Sequence, residues 1–129
     1  MPTKIYSTAK ILIVEEQPLA QSYMKQSLEK LGFGQLRFAD HANSAKEQCI
    51  NEQFDLIVCS FNLNKHQDGY QLYEELRIKQ LIKSSTGFIF ISAETSGSLV
   101  HSVLELQPDD FLVKPFTAQE LKIRIERIL

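Results

Sequence analysis

The stretch ILIV at residues 11–14 decides the class of fold, because four apolar residues follow one another with no polar residue between them. Runs of the same character recur at 56–59 (LIVC), 88–91 (FIFI) and 111–113 (FLV), and a weaker one lies at 36–39 (LRFA). Strands buried on both faces of a parallel sheet have this composition, whereas half-exposed strands alternate apolar and polar residues. The pattern therefore predicts five strands, most of them buried on both faces.

Helical signals separate these runs along the chain. The predicted helices start at or near Pro18, Ser44, Asp68, Ser98 and Thr117. Ser44 and Thr117 each have a glutamate three residues later, which is typical of a capping box, and Gly32 can end the first helix. Strands that alternate with helices form parallel sheets through crossover connections. We therefore predict an α/β protein with a doubly wound, five-stranded parallel sheet, (βα)5, in the flavodoxin-like order 2-1-3-4-5.

Composition excludes several classes of protein. The 129 residues fit one domain, and 14 Lys+Arg against 16 Asp+Glu give a net charge of −2, which argues against binding to nucleic acid. No apolar run approaches the ~20 residues of a transmembrane helix, and the first ten residues have no signal-peptide core. Cys49 and Cys59 are too few for a disulfide scaffold. We expect both to be reduced and buried in a cytoplasmic protein without a membrane partner.

Polar residues follow the predicted strands at the point where each strand ends. Glu15 and Glu16 follow the first strand, Ser60 the third, Ser92 the fourth and Lys114 the fifth. Sites in doubly wound sheets form at the carboxyl ends of the strands. These side chains are therefore expected to share one polar pocket, suited to phosphate or a metal.

From about Lys10 to Leu129 the sequence resembles the receiver domains of bacterial two-component response regulators. Four motifs carry the resemblance in the right order: an acidic pair after ILIV, a polar residue after DLIVC, Ser-Ala after FIFI, and FLVKPF. The resemblance implies a CheY-like fold and a role in phosphorelay signal transduction. Residues 10–129 would form the receiver-like domain and 1–9 an N-terminal extension, and the domain is compatible with being the N-terminal part of a longer protein.

The family takes a phosphoryl group from a histidine kinase onto an aspartate at the end of strand 3, with Mg²⁺ held by the acidic pair. The resemblance assigns the acidic pair to Glu15 and Glu16, and the hydroxyl and lysine that contact the phosphoryl oxygens to Ser92 and Lys114. Phe111 matches the aromatic switch position. A plain core role for Phe111 fits its aromatic character equally well.

Ser60 stands where the family has the phosphoacceptor aspartate. A serine hydroxyl is a weak nucleophile without a neighbouring base. The usual pocket of three acids and one lysine is formally −2, whereas Glu15, Glu16 and Lys114 give −1. No cofactor is therefore expected, with Mg²⁺ binding weak or lost and Glu15, Glu16 and Asn62 left as remnant metal positions. Lys114 is expected to pair with Glu15 or Glu16.

The leading hypothesis is a non-enzymatic, phosphorylation-independent pseudo-receiver that acts through protein–protein interaction. Its partners would be a histidine kinase, a phosphotransfer protein or its own effector domain. A homodimer would form through the helix predicted over 98–106, the fifth strand and the last helix. A second hypothesis is a phosphoacceptor module in which Ser60 or another residue accepts phosphate, with help from Glu16 and Lys114 and residual Mg²⁺. A small-ligand binder ranks third, because no glycine- or hydroxyl-rich loop follows the first strand.

Overall fold

A five-stranded parallel sheet forms the centre of the computed structural model, which describes residues 3–65, 67–93 and 109–129. The strands are β1 (Lys10–Val14), β2 (Gln35–Ala39), β3 (Leu56–Ser60), β4 (Gly87–Ser92) and β5 (Asp110–Val113). They lie in the order β2-β1-β3-β4-β5, and every neighbouring pair is parallel. The predicted α/β class and the strand order 2-1-3-4-5 are confirmed.

Helices connect the strands and cover the sheet. Within the described ranges they are α1 (Thr3–Thr8), α2 (Pro18–Leu31), α3 (Ala42–Asn51), α4 (Gly69–Ile78) and α5 (Ala118–Ile128). The helix predicted over 98–106 lies outside the described residues, so the predicted dimer surface that includes it stays a prediction. None of the helices described is both long and apolar enough to cross a membrane.

Each central strand buries both of its faces. In β4, Phe88 and Phe90 join the core cluster on the side of α3 and α4, while Ile89 and Ile91 join the cluster on the side of α2 and α5. All four side chains are buried, and burying a side chain of this size stabilises a fold by about 1.5–3 kcal/mol. The unbroken apolar runs of the sequence are explained by these two packed faces.

Two of the predicted helix ends are confirmed. Gly32 follows α2 with a φ of 106°, and its backbone N–H donates to the carbonyl oxygen of Glu29 at 3.0 Å. Glycine adopts this left-handed conformation without the steric penalty that other residues have. Thr117 caps α5 because its Oγ1 accepts a hydrogen bond from the Glu120 backbone N–H at 3.1 Å.

The predicted start of α3 at Ser44 is wrong. The helix begins at Ala42, and the capping residue is His41, whose Nδ1 accepts a hydrogen bond from the Ser44 backbone N–H at 3.1 Å. Ala42 and Ala45 are both fully buried in the core. Because packing of these alanines extends the helix toward its N-terminus, Ser44 becomes the third residue inside it rather than its cap.

The N-terminal extension contains a short helix, α1, that the sequence pattern did not indicate. The Tyr6 ring packs edge-on against Phe33 with centroids 4.8 Å apart, and its hydroxyl donates to the Glu126 carboxylate on α5. The Gln35 side-chain amide donates to the Ser7 carbonyl oxygen at 2.9 Å. These contacts join the extension to the end of the domain opposite the carboxyl ends of the strands.

The carboxylate of Glu75 links α4 to α3 and to the loop before α4. Its oxygens lie 3.1 Å from the ammonium groups of Lys46 and Lys79 and accept a hydrogen bond from the Gln67 amide at 2.8 Å. The hydrogen bond from Gln67, together with those from Lys46 and Lys79, lowers the pKa of Glu75 to about 2. The charged form of this side chain is therefore favoured in the folded state.

The first prediction concerns Gly69, at the start of α4. A Cβ atom there would lie 2.5 Å from the Ser60 carbonyl oxygen and 2.9 Å from the Cα of Phe61, and backbone atoms cannot rotate away. Gly69→Ala should lower the free energy of unfolding by about 1–3 kcal/mol in urea titrations. Gly34→Ala is the matched control, since nothing lies within 4 Å of its added Cβ. Equal losses in the two variants would contradict the close approach of α4 to β3.

The second prediction concerns Glu75 and pH. A pKa that is lower in the folded than in the unfolded state adds stability above the ordinary value of 4.5, and this stability is lost as the pH falls toward about 2. Glu75→Gln should therefore be less stable than the wild type at pH 6, with the difference shrinking by pH 2.5 in urea titrations. Glu47→Gln, at an exposed position on α3, should show no such difference. A gap that stays constant with pH would rule out this role for the carboxylate.

Candidate functional site

The parallel sheet brings polar residues from distant parts of the chain to one edge. Glu15 follows β1, Ser60 ends β3, Ser92 ends β4 and Lys114 follows β5. The Lys114 backbone N–H donates to the Ser92 carbonyl oxygen at 2.8 Å, and Ser60 lines the same cleft as Glu15 and Lys114. The structure thus places these four predicted pocket residues together.

Glu15 is a buried carboxylate with a partner on each oxygen. Its Oε1 lies 3.1 Å from the Nζ of Lys114, and its Oε2 accepts a hydrogen bond from the Gln17 backbone N–H at 3.0 Å. The Glu15 side chain is only 7% exposed, whereas that of Lys114 is 34% exposed. Of the two pairings that the sequence left open, the structure has Lys114 with Glu15. A buried charge is tolerated when it is paired and hydrogen-bonded in this way.

Glu16 points to the loop between β3 and α4. Its Oε1 accepts a hydrogen bond from the Asn64 side-chain amide at 2.6 Å, and its Oε2 accepts one from the Asn64 backbone N–H at 3.2 Å. Two donors on one residue satisfy the carboxylate in a chelate-like arrangement, which fixes the loop to the end of β1.

The hydroxyl groups at the ends of β3 and β4 have different surroundings. Ser92 Oγ donates to the side-chain Oδ1 of Asn62 at 3.1 Å. Ser60 is 6% exposed, and its hydroxyl makes no hydrogen bond with any residue in the described ranges. Its carbonyl oxygen accepts a weak hydrogen bond from the Cys59 thiol. The Ser60 hydroxyl therefore has no carboxylate within hydrogen-bonding distance in this part of the structure.

The loop between β3 and α4 is anchored at both ends. Phe61 donates its backbone N–H to Ile91 at 2.8 Å, and the Gly69 N–H donates back to the Phe61 carbonyl oxygen at 3.0 Å. Asp68 caps α4 in a capping box with Gln71. These contacts hold the loop close to the sheet edge, so Asn62 and Asn64 face the pocket residues. His66, which follows Lys65 in this part of the sequence, lies outside the described residues.

Phe111 lies on β5 opposite Phe90 of β4. It is half-buried and packs against the core cluster on the side of α3 and α4. This position is compatible with a core role and with a switch role, so the switch stays a prediction.

Neither cysteine belongs to the pocket. Both thiols are free and buried, as the sequence predicted. Burial raises the pKa of Cys49 to about 11, and burial together with the charge of Glu15 also raises the pKa of Cys59. Thiols with raised pKa values stay protonated at neutral pH and are poor nucleophiles. Both residues therefore serve packing.

Apart from Lys114, the partners of the two carboxylates were not found from the sequence. Asn64 and Gln17 supply three of the four hydrogen bonds that the Glu15 and Glu16 oxygens accept. A signal for Gln17 is its position at the start of α2, where backbone N–H groups lack helical acceptors. The sequence has no comparable signal for Asn64, because its contact depends on the path of the loop.

Comparison with known proteins agrees with this fold. The family model described as the response regulator receiver domain matches residues 11–126. The probable chemotaxis protein CheY of Rhizobium etli is 28% identical over 119 residues, which cover 92% of this chain and 91% of that protein. The transcriptional activator protein IrlR of Burkholderia pseudomallei is 33% identical over 120 residues, which cover 93% of this chain but 50% of that protein.

Two solved structures are similar to this chain in fold. The chemotaxis response regulator CheY4 of Vibrio cholerae has a TM-score of 0.84 at 21% identity, covering 95% of this chain and 100% of that one. The N-terminal domain of a response regulator/sensory box/GGDEF 3-domain protein from Carboxydothermus hydrogenoformans has a TM-score of 0.78 at 27% identity, covering 92% of each chain.

The family match over residues 11–126, the sheet order and the polar residues at four strand ends lead to one assignment. The chain belongs to the response regulator receiver domain family and is a receiver domain of two-component signalling.

Proposed function

We propose that this receiver domain is a pseudo-receiver, which acts through protein–protein interaction without forming an aspartyl phosphate. The observation that carries the proposal is Ser60, a neutral hydroxyl at the end of β3 where the family pattern has its phosphoacceptor carboxylate. A carboxylate is already an anion at neutral pH, whereas a hydroxyl must lose a proton to become a strong nucleophile.

Among the residues that the structure describes, no base lies within hydrogen-bonding distance of the Ser60 hydroxyl. Glu16, the base of the phosphoacceptor hypothesis, accepts hydrogen bonds from Asn64 on both of its oxygens. Glu15 is engaged by Lys114 and by the Gln17 backbone. A general base needs to lie within hydrogen-bonding distance of the proton that it removes. The geometry therefore favours a pseudo-receiver over a serine phosphoacceptor.

The side chains at this edge do not fit a Mg²⁺ site. Mg²⁺ requires near-octahedral oxygen ligands at about 2.0–2.1 Å. All four carboxylate oxygens of Glu15 and Glu16 already accept hydrogen bonds, and a Mg²⁺ ion would have to compete with these donors, one of which is the positively charged ammonium group of Lys114. No group of three or more His, Cys, Asp or Glu suited to a metal occurs among the residues described. We therefore propose that Mg²⁺ binding is weak or lost and that the domain needs no cofactor.

The proposed partners follow from the family and from the lengths of the relatives. The chain spans nearly the whole length of the chemotaxis relative and half the length of the transcriptional activator. A histidine kinase or phosphotransfer protein, or an effector domain of the same polypeptide, would bind the surface of the domain. Such a protein would act in the cytoplasm, where these kinases have their receiver partners.

The third prediction tests the chemistry directly. Incubation of the chain with acetyl phosphate and Mg²⁺ should leave the intact mass unchanged, because no described residue acts as a base for Ser60 and both glutamate carboxylates accept hydrogen bonds from the chain. A receiver domain that has the phosphoacceptor aspartate, treated in parallel, is the positive control. Ser60→Ala is the matched variant and should behave as the wild type does.

One result would establish the phosphoacceptor hypothesis instead. The wild type would gain one phosphoryl group, the Ser60→Ala variant would not, and the modification would survive hydroxylamine, as a serine ester does and an acyl phosphate does not. A modification that is present in both proteins would place the phosphate on another residue.

The fourth prediction tests whether Lys114 now serves the structure. Lys114→Met leaves the Glu15 carboxylate buried without its ion-pair partner, which should lower the free energy of unfolding by about 1–3 kcal/mol in urea titrations. Adding Glu15→Gln should restore part of the loss, because the buried charge is removed while an oxygen still accepts from Gln17. If the double variant is less stable than Lys114→Met alone, the ion pair does not hold this edge together.

A further inference from the structure

A cleft of about 410 Å³ lies beside the Glu15–Lys114 pair, between α2 and the segment that follows β5. Most of its lining is apolar. The apolar side chains include those of Ile13, Ala20, Met24, Val58, Ile91 and Phe116. Clefts of this volume, with apolar walls and a few polar groups, are typical of small-molecule sites.

Contacts between the surrounding elements fix the walls of this cleft. The Tyr23 hydroxyl on α2 donates to the Phe116 carbonyl oxygen at 2.8 Å, and the two rings meet edge to face with centroids 5.8 Å apart. The Gln21 side-chain amide donates to the Glu15 carbonyl oxygen. A cleft whose walls are already joined needs little ordering when a ligand binds, which favours binding of small molecules.

The cleft also contains a hydrogen-bond donor. Ser60 lines it, is 6% exposed, and donates its hydroxyl to no acceptor in the described part of the chain. A serine hydroxyl supplies one donor hydrogen. A ligand atom that accepts a hydrogen bond can therefore bind to Ser60 from within the cleft.

The charges that line the cleft select the class of ligand. Glu15 and Lys114 both line it, and their charges cancel within a 3.1 Å ion pair. An anionic ligand would be repelled by Glu15 and a cationic one by Lys114. Leu19, 87% exposed, adds a further apolar side chain to the lining, beside Tyr23. An uncharged, largely apolar molecule therefore matches the lining best.

We infer that this cleft binds a small uncharged molecule with an apolar body and one hydrogen-bond acceptor, such as a carbonyl group, that faces Ser60. The inference goes beyond the pseudo-receiver proposal, because it requires neither a phosphoryl group nor a protein partner. Such a ligand would give the domain an input that is independent of a kinase.

The fifth prediction tests this with three probes of similar size on the full chain. Acetophenone has an apolar ring and a carbonyl, ethylbenzene lacks the carbonyl, and benzoate replaces it with a charge. In methyl NMR spectra, acetophenone should shift the resonances of Ala20, Met24 and Ile91 saturably. Ethylbenzene should bind about fivefold more weakly, as expected for the loss of one neutral hydrogen bond, and benzoate more weakly still.

Two serine variants separate the hydrogen bond from apolar contact. Ser60→Ala should reduce the affinity for acetophenone to that for ethylbenzene and leave ethylbenzene unchanged. Ser27→Ala, at an equally buried serine of α2 that does not line the cleft, should change neither affinity.

Several results would overturn the inference. Tightest binding of benzoate would exclude an uncharged ligand, and an unaltered preference for acetophenone in Ser60→Ala would exclude the hydrogen bond. Saturable shifts outside the cleft, or no saturable shift with acetophenone, would exclude the site. Shifts of the same methyl groups with protein concentration alone would mean that a second copy of the chain occupies the cleft.

Discussion

The burial of both faces of β1, β3 and β4 is the constraint on which the rest of the structure depends. Alternate residues of these strands enter two different core clusters, so no polar side chain can leave the sheet along their length. Polar groups are confined to the strand ends, and parallel pairing collects those ends at one edge. This explains how Glu15 and Lys114, 99 residues apart in sequence, form an ion pair.

The charged side chains at the carboxyl edge of the sheet are balanced by partners within the chain. Three charged groups lie there with a formal sum of −1, and each carboxylate has donors from the chain itself. Burying a carboxylate is costly unless it is paired, so these contacts are needed for the edge to pack at all. The donors that engage Glu15 and Glu16 thus come from the chain itself, and Ser60 adds no charge beside them.

The sequence predicted the sheet, its order and the position of the pocket residues, because these depend on long apolar runs and on a general property of parallel sheets. The predictions from sequence failed where a single contact determines the local structure. His41 rather than Ser44 caps α3, since the buried Ala42 extends the helix. Glu16 binds Asn64, which depends on the path of the loop and not on spacing along the chain. The helix α1 depends on Tyr6 and Phe33, which are far apart in sequence, so no local pattern indicates it.

Ser60 connects the pseudo-receiver proposal with the properties of the cleft. A carboxylate at this position would add a third charge to the lining, next to Glu15 and Lys114, and would repel the carbonyl oxygen of an uncharged ligand. A hydroxyl adds no charge and supplies a hydrogen-bond donor instead. Because the ion pair of Glu15 and Lys114 is already neutral, the change from a carboxylate to a hydroxyl alone makes the cleft neutral as a whole. The serine on which the pseudo-receiver proposal rests therefore also gives the cleft the uncharged lining that the inferred apolar ligand requires.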